Sequence, residues 1–524
     1  MIEPVSVLNR KYQLILSAAA CAFLIGACTP GPEYSRPETP LSKMEKFKNA
    51  PAQVQDESKN NVENKTGYSE KMAHWWRHIN HPEINRQIGM ILNQNLDLKQ
   101  ARARINQAKA RIRISAGPLA PMISVNASRN RNFRPAEEFS NIFGGAVGAP
   151  GGGGTTRIFD TSIETSATAS WQLDLFGRTR NALAASKARF YAAEMDQEAL
   201  KHTLISELVQ RHIALQSLGA RKRLAHNIAE NRKAVLSIVK RRYERGTAGV
   251  NTSDLHAAQQ AVAQVTQDIP EIEQAIGEQS HSIDVILGQQ PGTRDYDIKS
   301  TAFNPPPAKT PISVPAALLD RRPDLRSAEM RVIAEYKDIS VSISDLYPNI
   351  SLSGNLGFED ETTRNLFSSE RLIGSILSEI SLTLFQGGAL RARIDLEKAQ
   401  KEELVASYAK DILNAIQEVE TALLQEKKIA QRLDEINKEV LAARQRMRAL
   451  KNRYEKGVIS LSQYLDSQLD LYNARLKRIL GIQAMWQARI SLYLALGGDW
   501  INEMEISGEE HNGPTRHHLN KGKG

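Results

Sequence analysis

Two stretches of this chain, Arg178–Arg245 and Ala389–Lys456, each run for 68 residues without a proline, and only Gly219 interrupts the first. No other feature limits the fold as strongly. At about 1.5 Å per residue, each stretch would make a helix about 100 Å long. The core of one ordinary domain cannot cover such a helix, so the pattern predicts helices packed side by side in a coiled-coil manner. Both stretches end in one phrase, "RRYERGTAG" at Arg241–Gly249 and "NRYEKGVIS" at Asn452–Ser460. Gly246 and Gly457 fall where a helix C-terminus needs a left-handed residue. The next helices are expected at "NTSDL" (Asn251–Leu255) and "SLSQYL" (Ser460–Leu465), with Ser or Thr as N-caps.

The repeated phrase belongs to a duplication of the whole chain. Tyr243 and Tyr454 are 211 positions apart, and "SELVQRHIALQ" (Ser206–Gln216) answers "QEVETALLQEK" (Gln417–Lys427) at the same offset. Upstream, Asp97–Leu98 matches Asp324–Leu325 and Pro121 matches Pro348, now at an offset of 227. The 16 extra residues in the first half coincide with "GGAVGAPGGGG" at Gly144–Gly154, whose counterpart near Glu359–Arg371 is shorter. A glycine run of variable length reads as a flexible, exposed loop. The duplication divides the chain into a leader at 1–27, an N-terminal segment at 28–94 and a first repeat at 95–288. A Pro-rich connection at 289–317, a second repeat at 318–500 and a disordered tail at 501–524 complete it. Each repeat reads as helix, β-hairpin, long helix (178–245 or 389–456), turn and helix.

The predicted strands alternate with period 2. In "SIETSATASWQLDLF", Ile163, Ala167, Ala169, Trp171, Leu173 and Leu175 share one face, opposite Glu164, Ser166, Thr168, Ser170, Gln172 and Asp174. In "NISLSGNLGF", Ile350, Leu352, Leu356 and Phe358 oppose Asn349, Ser351, Ser353 and Asn355. "SEISLTLF" sets Ile380, Leu382 and Leu384 against Glu379, Ser381 and Thr383, and "MISVNASRNRNF" is the most polar of the four.

The leader supplies a destination. Arg10 and Lys11 precede an apolar run that ends in "LIGAC", Leu24 to Cys28. Small residues before a cysteine fit a lipoprotein signal, with Cys28 the lipidated, palmitate-bearing first residue of the mature chain. Cys21 is removed with the leader, which leaves no internal disulfide for an exported chain. A net charge of +9 could suggest nucleic acid, but Lys and Arg alternate with Glu and Asp along helical stretches, as on a solvated helix surface. No nucleic acid is expected. After residue 30 no window reaches 18 consecutive apolar residues, so any crossing of a membrane must use strands. Four strands cannot close, and an open edge in lipid leaves backbone groups unsatisfied at several kcal/mol each. Several chains are therefore expected to pool their strands, although symmetry alone does not set the number at three.

"WQLDLFGRTR" (Trp171–Arg180), "LLDRRPDLRSAE" (Leu318–Glu329), "LFQGGALRARI" (Leu384–Ile394) and the lipobox together resemble the TolC-like outer membrane factors. The similarity is greatest to the NodT-type efflux lipoproteins of tripartite drug-efflux pumps, and it runs from about Cys28 to Trp500. The resemblance implies an α+β membrane protein. Four strands per chain would enter a trimeric twelve-stranded β-barrel that continues into a long periplasmic α-helical barrel with an equatorial belt. The segments 28–94 and 289–317 would lie in that belt, as would the region near residues 427–440 and the C-terminus. The implied partners are a periplasmic adapter (membrane fusion) protein, an inner-membrane transporter of the RND type, outer membrane lipids and two further copies of the chain.

The resemblance also assigns residues. Arg242, Tyr243, Gly246, Arg453, Tyr454 and Gly457 would form the periplasmic tip that meets the adapter. Asp254, Tyr454 and Asp466 would form the gate, with Asp254 and Tyr454 tethering neighbouring hairpins so that Tyr454→Phe raises leakiness. Ile459 replaces a basic partner of the aspartate, and Gln463 stands where a second acidic residue is expected. Trp171 is either a membrane-interface residue or one packed at the equatorial end of its strand.

The implied function is a passive outer-membrane exit duct for small-molecule drugs or toxic compounds, opened at its tip by adapter and pump. The alternatives are the same duct in type I protein secretion, or a structural coiled-coil lipoprotein, which would need no strands. No enzyme, cofactor or metal is expected. The chain carries no nucleophile elbow, phosphate loop or Cys/His cluster, and His74, His78 and His81 in "HWWRHINH" have no thiolate to support a metal site.

Overall fold

The computed structural model describes residues 30–37, 47–49, 76, 82–135, 157–246, 250–294, 296, 298, 303–306 and 321–497. The leader with Cys28, the glycine run, His74, His78, His81, most of the Pro-rich connection and the tail lie outside the described residues. The chain divides into two compact units, 1–36 with 106–191 and 330–405, and 37–105 with 192–329 and 406–524.

The first unit is built on a four-stranded antiparallel sheet in sequence order. Its strands are β1 (Met122–Pro135), β2 (Arg157–Leu173), β3 (Asn349–Asp360) and β4 (Leu372–Ser381). Strand register sorts the side chains into rows. One face carries Ile123–Ala169–Gly354–Ile376, then Val125–Ala167–Leu356–Gly374, with Leu173–Ile350–Ile380 at one end and Thr165–Phe358–Leu372 toward the other. The opposite face carries Ser124, Thr168, Asn355 and Ser375 in one row and Ser170, Ser353 and Leu377 in the next. Ile373 and Leu377 make the β4 contribution to this second face more apolar than strict alternation would. β1 and β4 are the outer strands, with no strand paired beyond them among the described residues.

All four helix junctions lie at one end of the sheet. There α2 (Leu96–Ala116) leads into β1, and β2 leads into α3 (Arg178–Glu244). At the same end α6 (Pro323–Ser344) leads into β3, and β4 leads to α7 (Ala389–Glu455). Asp174 starts α3 by accepting from the backbone N–H of Thr179 (3.0 Å) and Arg180 (2.8 Å). Its carboxylate satisfies donors that have no partner inside the helix. Phe176 stacks on Tyr347 at 4.9 Å, and Arg178 pairs with Asp345 at 2.6 Å. Where α3, α6 and α7 meet, Glu335 is buried near Asp338 and Glu397, with Arg189 bound to Asp338.

The second unit is helical among its described residues. It holds α1 (Pro82–Gln94), most of α3 and α7, α4 (Thr252–Thr266), α5 (Asp268–Ile286) and α8 (Leu461–Ala495). One apolar cluster joins Ile84, Ile91 and Leu98 to Leu208, Ile213, Ile283, Leu287 and Ile490. A polar network crosses it, in which His212 meets Gln87 at 2.6 Å and the Tyr296 hydroxyl donates to Asp284 at 2.6 Å. Burial and Asp284 push the Tyr296 hydroxyl well above its ordinary pKa. A second cluster packs Leu224, Ala225, Ile228, Val265 and Ile272 against Tyr472. The returning helix of the first repeat is in two pieces, α4 and α5, separated at Gln267. Pro270 explains the break, because it has no N–H to offer the carbonyl of Thr266. The matching α8 contains no proline and is continuous.

Candidate functional site

The two repeated turns belong to one packed cluster of the second unit. Val239, Ala258, Ala261, Leu461, Tyr464 and Leu465 are buried there, with Val235, Leu236, Met447, Tyr454 and Ile459 against them. Packing of four helix ends thus brings together turns that lie 211 residues apart.

Each turn is closed by a left-handed glycine, Gly246 at φ +60° and Gly457 at φ +72°. The Gly246 N–H donates to the Tyr243 carbonyl at 3.0 Å. In the second turn Gly457 donates to Tyr454 and Val458 to Arg453, each at 2.9 Å, which satisfies carbonyls that the helix end leaves free. A Cβ at either glycine would meet no atom within 4 Å, so backbone conformation alone selects glycine. Beyond the turns, Ser460 caps α8 through a long 3.4 Å bond to Gln463 N–H. α4 is capped by Asn251 rather than by a Ser or Thr. Asn251 Oδ1 accepts from Asp254 N–H at 2.9 Å, and Asp254 Oδ2 accepts from Asn251 N–H at 3.0 Å. This reciprocal box is the stronger cap because it satisfies two donors at once.

The turn surface is basic. Arg241, Arg242, Arg245, Arg453 and Lys456 are exposed, and Val458 is 60% exposed beside them. The two tyrosines differ. Tyr243 is exposed and its hydroxyl lies 3.4 Å from Thr252 Oγ1. Tyr454 is half-buried and stacked on Tyr464, with ring centroids 5.4 Å apart and planes 11° from parallel. Burial raises the Tyr454 pKa, Asp254 and Tyr464 add to the rise, and Arg242 opposes it. Asp254 is therefore within electrostatic reach of Tyr454, but among the described residues its hydrogen bonds go to its own helix cap. Further along α8, Asp466 is exposed on one face with Gln463 and Asp470, and Asp470 pairs with Arg446 of α7 at 2.5 Å.

Several side chains here escape a reading of the sequence. Tyr464 has the spacing of a core residue, and Asn251 competes with Thr252 and Ser253 as an equally good cap. Arg232 sits in a charged stretch of α3, yet only 1% of it is exposed. It donates to the Ala261 carbonyl, and its Nε finds no partner. Burial lowers its pKa against the opposing influence of Tyr472 and Asp268. Tyr472 donates to Asp268 at 2.8 Å, and burial with that bond pushes its pKa up to about 12. In the first unit, Trp171 is half-exposed on the apolar sheet face and donates through Nε1 to the Leu119 carbonyl at 3.1 Å.

Residues 88–289 and 314–498 match the outer membrane efflux protein family. Over 491 residues, spanning 93% of this chain and 96% of the relative, the sequence is 26% identical to a probable efflux pump outer membrane protein, TtgC, of Pseudomonas putida. It is 23% identical over 489 residues, 93% of this chain and 99% of the relative, to SilC, a probable outer membrane lipoprotein of Salmonella typhimurium. The solved outer-membrane channel OprN superposes with a TM-score of 0.77 at 28% identity, covering 90% of this chain and 100% of that one. The Campylobacter jejuni outer membrane channel CmeC shares the fold, with a TM-score of 0.77 at 21% identity over 92% of this chain and 98% of that one. With both halves of the duplication matched, the chain belongs to the outer membrane efflux protein family.

Proposed function

We propose that the chain is the outer-membrane exit duct of a tripartite efflux system for small molecules. In this reading three copies pool their sheets into a twelve-stranded barrel, and the long helices form a periplasmic tube. The observation that carries it is the sheet itself. Its outer strands are unpaired among the described residues and one face is apolar, with Val125 73% and Ile376 85% exposed. Open edges beside such a face are untenable in lipid until they pair with another chain. No helix among the described residues is long and apolar enough to cross a membrane. Relatives described as antibiotic, toluene and pyoverdine exporters support a small-molecule cargo. The description of SilC as a lipoprotein supports lipidation at Cys28.

The basic turns, with Arg242, Tyr243, Gly246, Arg453, Tyr454 and Gly457, are the docking tip for a periplasmic adapter joined to an inner-membrane RND-type transporter. Asp254, Tyr454 and Asp466 form the gate, and Trp171 marks a membrane interface. The shared apolar cluster beneath both turns supports a gate that moves as one body. The purified full chain is expected to form detergent-stable trimers that conduct in planar bilayers, and its deletion is expected to sensitise cells to amphiphilic drugs. A monomer without conductance would sink the duct.

A further inference from the structure

The duplication leaves one corner of the sheet with nothing to lie on. β2 runs out in "SWQLDLF" (Ser170–Phe176) and β4 in "EISLTLF" (Glu379–Phe385), the same phrase at an offset of 209. In the first copy Leu175 and Phe176 are partly buried, whereas in the second Leu384 and Phe385 are 89% and 88% exposed. The neighbouring element makes the difference. Phe176 stacks on Tyr347, in the corner that leads into β3, and its carbonyl accepts from the Ser344 hydroxyl at 3.1 Å. Among the described residues no strand follows beside β4. The equivalent of the corner before β3 is the corner before β1, where Leu119, Ala120 and Pro121 match Leu346, Tyr347 and Pro348. It belongs to the opposite edge of the same sheet, three strand spacings or about 14 Å away. Only another copy of the chain can bring it to Phe385.

The contact inside the chain also supplies a register. Leu173 of β2 lies opposite Ile350 of β3, and their equivalents are Leu382 and Ile123. Setting Leu382 opposite the partner's Ile123 puts Ile380 beside the partner's Val125 and Glu379 beside the partner's Asn126. Outward apolar residues then meet outward apolar residues, and polar meets polar. Closure of a barrel favours the same register. A line of paired residues from Ile123 runs through Ala169, Gly354 and Ile376 and would reach position 129 of the next copy, six residues further along. Round three chains that is about 18 residues or about 59 Å, against about 58 Å for twelve strand spacings. The resulting tilt is about 45°, at the upper end of that of outer-membrane barrels. A register two residues later would tilt the strands by about 54°, beyond that range.

We propose that Leu384 and Phe385 anchor one copy of the chain to the next. Phe385 seats on Leu119 and Ala120 of a second copy, and β4 pairs with that copy's β1 in the register that joins Ile380 to Val125. The inference rests on the barrel reading above and adds to it the corner that holds the copies together. Continuity selects a second copy over lipid, because the unpaired edge of β4 leads straight into the exposed corner. Gly117 and Ala120 stand where the internal contact has Ser344 and Tyr347, so the contact between copies is apolar packing by a single ring.

The test is disulfide trapping of the full chain in its native membranes. Glu379→Cys/Asn126→Cys and Ile380→Cys/Val125→Cys make adjacent pairs, whose Cα atoms stand about 4.5–5.5 Å apart in an antiparallel ladder. Both should give reducible covalent multimers. Glu379→Cys/Ser128→Cys, about 7 Å out of register, should give little. In detergent, Phe385→Ala is expected to raise the concentration at which trimers dissociate by about tenfold or more, as loss of an interface anchor does. The Glu379→Cys/Asn126→Cys disulfide should still form in that variant within the membrane, which shows that its sheet is folded. Bilayer conductance of the parent separates the two levels of the idea. If the parent forms conducting trimers and the out-of-register pair cross-links instead, or Phe385→Ala trimers dissociate as the parent's do, the anchor is overturned and the duct stands. Unchanged trimers together with weaker binding of Phe385→Ala to uncharged phospholipid vesicles would give the corner to lipid and overturn the anchor as well. If the parent neither forms trimers nor conducts, both fall.

Discussion

Tyr243 and Tyr454 hold equivalent places in the duplicated halves but have different surroundings, and that difference locates the constraint at the turns. Tyr454 is stacked on Tyr464 and half-buried, whereas Tyr243 is exposed. Among the described residues no hydrogen bond reaches the Tyr454 hydroxyl, so the ring rather than the hydroxyl holds α7 to α8. Tyr454→Phe should therefore change conductance and stability little, within about 0.5 kcal/mol. Tyr454→Ala, which removes a half-buried ring and its stack, should cost about 2 kcal/mol locally and raise closed-state leakage in bilayers. Equal leakage from both variants would restore the hydroxyl tether implied by the resemblance. The glycines and tyrosines of the turns were legible because the phrase recurs and left-handed positions admit few residues. Tyr464, Asn251 and Arg232 were not. Which tyrosine receives a stack, which of three adjacent cap formers is used and which arginine of a charged row turns inward depend on neighbours brought in by folding.

The helices of the first unit meet around carboxylates rather than around an apolar layer alone. Burial raises the Glu335 pKa to about 7, helped by a hydrogen bond with Glu397 and by the charges of Asp338 and Glu397, while Arg189 opposes the shift. Asp338 is also raised by burial, despite Arg189. Lys401 of α7 lies over the Tyr336 ring, 5.6 Å from its centroid. An acid raised in the folded state keeps a proton that the unfolded chain releases between pH 4.5 and about 7. The packing of α6 on α7 is then firmest at the acid end of that window. It weakens as pH rises, by at most about 1.4 kcal/mol per pH unit for one proton. Melting followed at pH 5 and pH 8 should show a higher Tm at pH 5, and Glu335→Gln should flatten the difference. A variant with the parent's full pH dependence would assign the titration elsewhere. At this scale the sequence was most readable where one pattern dominated, in the proline-free helices and the alternation of β2. It was least readable where two patterns competed. β4 carries Ile373 and Leu377 on its polar side, and Pro270 divides a returning helix whose partner in the other half is continuous.

At the scale of the whole molecule, the sheet separates a barrel wall from any soluble use of the same four strands. A soluble sandwich would bury the apolar face against protein, while a barrel exposes it to hydrocarbon and gives the other face to a water-filled lumen. Ile376 and Ser375 are adjacent in β4, at the central rows of the two faces, and point opposite ways. A lysine at position 376 would enter mid-bilayer at about 2–4 kcal/mol per copy, a cost that three pooled chains would meet three times in one assembly. A lysine at position 375 would join Asn355 and Thr168 on the polar face and meet water. Ile376→Lys should therefore abolish heat-modifiable trimers in the outer-membrane fraction, while Ser375→Lys should leave their yield intact and shift ion selectivity toward anions. Because the neighbouring substitutions add the same charge to the same strand, general damage to folding would affect both alike. Trimers retained by both variants would place the sheet outside lipid, and the efflux duct would then need some other route through the membrane.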